Sequence, residues 1–225
     1  LEPLLEFSDV GLVLTGGGFL VAFMLSGTLA DFKESERLPG ELASMLETIE
    51  ELFVQASLGP KEVDLARGRR AVHATGEAMW QWFHKKRSHP ELFAALEELG
   101  DRILDLERAG ASPHATRGLR ELHNLRRTLT RVGVISRTGF IAAGYALLEG
   151  LTGLILVMTL LSKFKNAATE IVLTGFITLV FIYMVRLIRD LDDPFDYDER
   201  GAAGSVEVEL FPLSEYLARL KARLS

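Results

Sequence analysis

The chain has 225 residues, 48% of them hydrophobic and 25% charged, with a formal net charge of -6 and no cysteine. The acidic balance excludes a general nucleic-acid binder, because phosphate contacts need a basic surface, and the missing cysteine excludes disulfides, thiolate nucleophiles and cysteine-based zinc sites. Charge is segregated: Val10 to Ala30 and Ile171 to Val185 carry none, Thr138 to Leu161 carries only Glu149, and the rest is crowded with it, so two solvents are implied.

A helix crosses a hydrocarbon core of about 30 Å with roughly 20 apolar residues, each adding about 1.5 Å. Val10 to Ala30 meets this length. Its run Gly16-Gly17-Gly18 and the lack of a basic leader before it predict a retained span within residues 1–30 rather than a signal peptide. A further span ahead of Leu1 is compatible with this order. Glycines in such a helix allow close packing, or, if unwound, expose carbonyls to an ion.

Residues 31–137 read as a water-facing helical domain. Leu38-Pro39-Gly40 breaks the chain, after which Leu42, Met45, Leu46, Ile49, Leu52 and Phe53 recur at helical spacing. A second helix is expected over Val63 to Phe83 around Trp80 and Trp82, and a third along Leu92, Leu96, Leu99, Ile103 and Leu106 beyond the Ser88-His89-Pro90 interruption. A fourth is expected to open with Ser112 as N-cap and Pro113 at the first helical position, and to run on toward the second span. Its Leu119, Leu122, Leu125 and Leu129, like the tryptophans, are core residues by type. His73, His84, His89, His114 and His123 lack the four-residue spacing of a zinc peptidase and read as packing or surface residues. So small a set of amphipathic helices must pack on one another or on neighbouring subunits, and a homo-oligomer is the economical solution.

Residues 138–189 predict a hairpin of spans, Thr138 to Leu161 and Ile171 to Val185, the latter extended by its neighbours. Glu149 stands near the middle of the first by sequence, where an ionisable group is costly without a partner or water. A pore, gate or ion-site carboxylate is one reading; a protonated or internally bonded packing residue, or a helix break at Glu149-Gly150, is the other. Tyr145, one turn away, is placed to serve the carboxyl, and Ala142, Ala146 and Gly150 allow close helix approach. Glu170, Thr174 and Thr178 recur every four residues as a weakly polar stripe that would line a water-filled path, unless the threonines bond to their own backbone. Lys33, Arg37, Arg126, Arg127, Arg131, Arg137, Arg186 and Arg189 flank the spans on the domain's side against Lys163 and Lys165 on the other, which predicts a cytoplasmic domain.

Residues 190–225 form an acidic tail. Asp190, Asp192, Asp193, Asp196 and Asp198 offer hard oxygen ligands for calcium, although the spacing lacks the calcium loop's glycine and terminal Glu; a solvated turn that pairs with the Arg-rich juxtamembrane helix is the competing reading. The alternation of Val206, Val208 and Leu210 with Glu207 and Glu209 predicts a short strand before a last amphipathic helix over Ser214 to Leu224. No nucleophile, phosphate loop or metal constellation of an enzyme is present, so no catalytic residue is assigned.

The first span running into Ala30-Asp31-Phe32-Lys33-Glu34-Ser35-Glu36-Arg37-Leu38-Pro39-Gly40-Glu41-Leu42, together with Asp190-Leu191-Asp192-Asp193-Pro194-Phe195, Phe211-Pro212-Leu213 and a final helix, resembles the bacterial bestrophin-like membrane proteins. The order of a span, a cytoplasmic helical region, a hairpin of spans and an acidic Pro-Phe tail matches along most of the chain. The resemblance implies an all-helical, homo-oligomeric ion channel embedded in lipid of the inner membrane and passing inorganic ions. In bestrophins an acidic cluster beside a Pro-Phe pair helps bind calcium; here the run from Asp190 to Glu199 is similar in position, with acids on both sides of Pro194-Phe195. A membrane-anchored scaffold or sensor without conduction is the alternative.

Overall fold

The structure is a computed structural model and describes residues 5–59, 62–138, 142–164, 166–197 and 206–224. It is all-helical apart from one two-residue parallel strand pair, β1 (Leu5–Glu6) with β2 (Ser162–Lys163). The chain divides into two compact units, one of residues 1–33 and 138–194, the other of residues 34–137 and 195–225.

The first unit holds α1 (Phe7–Ser35), α6 (Ala142–Leu160) and α7 (Ala167–Asp192), and three helices of the chain are long and apolar enough to cross a membrane. On α1 the buried residues Val10, Gly17, Val21, Met24 and Thr28 make one stripe at helical spacing. Val21 and Met24 pack with Leu148 and Ile155 of α6 and with Ile177, Phe181 and Ile188 of α7. Gly17 marks the closest approach, because a side chain there would overlap the Ile155 Cδ1 and press on the Phe181 ring, whereas Gly16, Gly18 and Gly150 face open space. Asn166 caps α7, its side chain accepting from the Thr169 amide at 2.8 Å.

In the second unit α2 (Leu38–Ser57), α3 (Leu65–Phe83), α4 (His89–Arg108) and α5 (Ser112–Ile135) form a closed ring of four, each packing on two neighbours, and α8 (Phe211–Ala222) lies on α2 and α3. Leu42, Leu46, Ile49, Leu92, Leu96, Leu99, Leu125 and Leu129 fill the centre without exposure. Gly68 and Gly76 let neighbours in, their missing side chains replaced by the Phe53 ring and by Leu217.

Local chemistry shifts several expected boundaries. α3 begins at Leu65 because Asp64 accepts from the Arg67 amide at 2.8 Å. Ser112 is the first residue of α5 rather than its cap, which is Ala111, and α5 stops at Ile135 in a turn over Ser136 and Arg137. The expected C-terminal strand is absent: residues 206–210 carry none. Val208 and Leu210 are buried as their alternation implied, but among the described residues no neighbouring strand offers a ladder, and the Val208 carbonyl instead accepts from the Tyr197 hydroxyl. The final helix begins at Phe211, with Pro212 in its first turn.

Ser88 was expected as part of an interruption and is a capping box. Its amide and hydroxyl donate to the Glu91 carboxylate at 2.8 and 2.5 Å. The Ser88 hydroxyl, then its amide, hold the Glu91 carboxyl below the usual carboxylate range. A lowered folded-state value means that the stabilisation is present above the usual range near 4.5 and is lost as pH falls below it. The melting difference between the parent chain and Ser88→Ala, taken at a series of pH values, is therefore expected to shrink below that point; a difference unchanged down to acid pH would contradict the box.

Candidate functional site

In the membrane unit three charged side chains of the hairpin come together around Tyr145. Glu149 of α6 accepts from Arg189 Nη2 of α7, the Arg189 guanidinium lies 5.7 Å from the centre of the Tyr145 ring, and Asp192 faces the Tyr145 hydroxyl. The structure thus gives Glu149 a cation as partner, where the sequence suggested the Tyr145 hydroxyl. The pair's side chains are about half exposed within the chain, and Tyr145 supplies a ring for the guanidinium rather than a proton for the carboxylate.

The α7 stripe is uneven. Glu170 is exposed, Thr174 and Thr178 are half-buried, and the uncovered residues of this helix include Ile171, Val172, Gly175, Phe176, Leu179, Ile182 and Tyr183. Thr174 Oγ1 is buried with no hydrogen-bond partner among the described residues. Ala146 is exposed and Gly150 open, so neither brings a helix close within this chain; the side chain of Ala142 lies outside the described set.

The acids of the tail do not gather. Among the described residues no three histidine or carboxylate side chains could jointly hold a metal ion. Asp196 receives Lys85 Nζ and Asp192 faces Tyr145, while Asp190 is exposed. Asp198 lies outside the described residues. The described side chains alone offer calcium no joint site, and no step is assigned to that ion.

What the tail does show is docking on the helical domain. Phe195 lies 5.7 Å from Phe83, Tyr197 meets the same ring edge-on at 6.2 Å, and Tyr197 stacks on His84 at 5.6 Å. Burial, with Glu207 adding to it, pushes the Tyr197 hydroxyl well above its ordinary range and keeps it a donor for Val208. His84 Nδ1 sits 2.7 Å from the Trp80 carbonyl.

Two helix ends of this domain use the same motif with different residues. After α4, Gly110 takes a φ of 78°, and the amides of Gly110 and Ala111 bond to Glu107 and Leu106. After α3, Lys85 takes a φ of 56°, and the amides of Lys85 and Lys86 bond to Trp82 and Gln81. Glycine is the usual residue there, and a side chain in that conformation costs about 1–3 kcal/mol.

A buried ionic cluster holds α8. The Glu50 side chain is 5% exposed and accepts from Arg69 Nε at 2.9 Å, Arg223 Nε at 3.0 Å and the Tyr216 hydroxyl at 3.3 Å. Burial, then Glu50, pushes the Tyr216 hydroxyl far above its ordinary range, and the Glu50 hydrogen bond raises Arg223. Sequence reasoning missed this cluster; an acid on the apolar face of α2, between Ile49 and Phe53, was the available signal.

A Bestrophin-like domain model matches residues 11–197. The chain belongs to the Bestrophin-like family. The structure agrees: a crystal structure of a bacterial bestrophin homologue from Klebsiella pneumoniae with an aspartate-to-alanine substitution superposes with a TM-score of 0.83 at 14% identity, over 98% of this chain and 89% of that one. A tyrosine-to-alanine variant of the Klebsiella homologue gives 0.80 at 16% identity over 98% and 87%, and the homologue solved by zinc phasing gives 0.79 at 16% over 98% and 86%. At these identities the likeness shows a shared fold. Among curated proteins nothing matches. For this Bestrophin-like chain the helices are thus a shared fold written in a divergent sequence.

Proposed function

We propose that the chain assembles as a homo-oligomeric channel that passes small inorganic ions across a bacterial inner membrane, with the helical domain and tail on the cytoplasmic side. Family membership and the flanking positive charges support this reading, and one structural observation carries it. In the most apolar stretch of the three membrane-length helices only 22%, 22% and 17% of residues are buried, so most of their surface is left for lipid or other copies. The uncovered faces differ. On α7 it is large side chains, mainly hydrocarbon with Tyr183, suited to lipid; on α1 Leu12, Phe19 and Phe23 are uncovered too, beside a strip of Thr15, Gly18, Ala22 and Ser26 at spacings of three and four that is small and weakly polar. Copies arranged with α1 inward make a conduit, and copies with α7 inward make a dry plug.

Ion flux through the purified protein in liposomes, under potassium and chloride gradients and with and without calcium, tests this. The parent is expected to conduct, and Ala22→Phe to lower flux at least about tenfold if the α1 face lines the path, while Leu179→Phe on α7 leaves it unchanged. Glu149→Gln, with the carboxylate paired to Arg189, is expected to leave the reversal potential near the parent's. A Thr174→Ala, Thr178→Ala chain that loses flux while Ala22→Phe conducts would move the path to α7. No flux from a folded oligomer in any gradient would favour a membrane-anchored scaffold.

A further inference from the structure

The helical domain carries a cavity of about 220 Å³ lined by Trp82, Phe83, Lys85, Gly133, Arg137 and Phe195 among others. It has two characters. Trp82, Phe83 and Phe195 make an apolar wall. Lys85 and Arg137 bring cations to it, and Lys86 and Arg87 follow in the same turn. Lys85 is paired with Asp196, while Arg137 is exposed and has no carboxylate in ion-pair range among the described residues. Gly133 leaves space against the Trp82 ring, since a side-chain carbon there would stand 3.9 Å from it.

Three observations give this cavity an occupant. Arg137 precedes the first residue of α6 by five positions and Phe195 follows the last of α7 by three, so at about 3.3–3.6 Å per residue the covalent chain ties both walls to membrane helices within about 18 and 11 Å. Tryptophan beside lysine and arginine is the composition of a headgroup layer, where the ring takes the apolar boundary and the cations take phosphate. Lys85 occupies a left-handed position that Gly110 fills in the matching motif, and backbone strain held at a ligand-sized cavity points to use. A C-terminal cation on α5 satisfies the helix dipole, but that explains Arg137 alone.

We propose that the cavity binds the phosphodiester headgroup of an anionic membrane phospholipid, with the phosphate between Lys85 and Arg137 and the glycerol and first acyl carbons against Trp82 and Phe195. This site is independent of the conduction path and stands whether or not the chain passes ions.

The test is lipid retention and melting of the full chain in detergent, by native mass spectrometry and thermal unfolding. Phosphatidylglycerol, phosphatidylcholine of the same acyl chains and inorganic phosphate are added separately. Phosphatidylglycerol is expected to stay bound and raise the melting temperature, and the other two to do neither. Arg137→Gln is expected to weaken retention about fivefold, the effect of one interfacial cation, and Arg137→Lys to restore most of it. Lys85→Gly relieves the left-handed backbone, so it folds and yet loses retention to a similar degree. Arg120→Gln, a charge-matched change on the exposed face of α5, is expected to behave as the parent. Equal effects of phosphatidylcholine, equal effects of inorganic phosphate, parent-like retention by both Arg137→Gln and Lys85→Gly, or an equal loss in Arg120→Gln would each overturn the proposal.

Discussion

Glu50→Ala is expected to lower the stability of the helical domain by about 3 kcal/mol and to release its last helix. The carboxylate is the shared acceptor of Arg69, Arg223 and the Tyr216 hydroxyl, and removing one member of a buried ion pair costs about 3–5 kcal/mol because its partners remain desolvated. Arg223 is 35% exposed, so water relieves part of its loss and the expectation sits at the low end. Tyr216→Phe removes a single hydroxyl and is expected to cost about 1 kcal/mol. Thermal unfolding of the detergent-solubilised chain reads the first quantity, and trypsin cleavage at Arg219 and Lys221 on α8 reads the second. Parent-like melting with unchanged cleavage in Glu50→Ala would show that Leu213, Leu217 and Leu220 hold the helix without the cluster.

Gly17→Leu is expected to be the most damaging single change in the membrane unit. Its side chain would enter the point where Ile155 and Phe181 meet α1, and overpacking a filled core costs about 1–3 kcal/mol. Its neighbours make the comparison informative. A side-chain carbon added at Gly16 or Gly18 meets nothing within 4 Å, so Gly16→Leu and Gly18→Leu are expected to unfold as isolated protomers close to the parent. If Gly18→Leu nonetheless lowers flux or dissociates the oligomer, the loss belongs to surface between copies, which is where the channel reading places it. Equal damage from all three would mean that the glycines matter through backbone conformation and not through contact.

Much of this fold was legible because it follows from periodicity and solvent. Leu42 to Phe53 and Leu92 to Leu106 could only be helices with one apolar face, and the charge-free runs could only sit in lipid. The acidic Pro-Phe tail carried the family. What stayed hidden was pairing across distance. Glu149 was matched only with its near neighbour Tyr145 because Arg189 is 40 residues away, and Glu50 drew no reading because its partners are 19, 166 and 173 residues off. The alternation over Val206 to Leu210 correctly marked buried positions but not a strand, since a strand also needs an edge to pair with, and sequence periodicity is blind to that. Three adjacent glycines were equivalent on paper; only the angular position of Gly17 on α1 separates it from the other two.

The domain that α8 completes is interrupted in sequence by two membrane helices. Glu50 and Arg223 are 173 residues apart, and at synthesis rates of roughly 5–20 residues per second the groove on α2 and α3 waits on the order of ten to thirty seconds for the helix that fills it. During that interval Gly76 and Leu46, which receive Leu217, face water, and the hairpin has already had to find the bilayer. Closure of the groove thus reports that insertion is finished, so a nascent chain whose hairpin stalls would display a sticky, half-built bundle to chaperones and proteases.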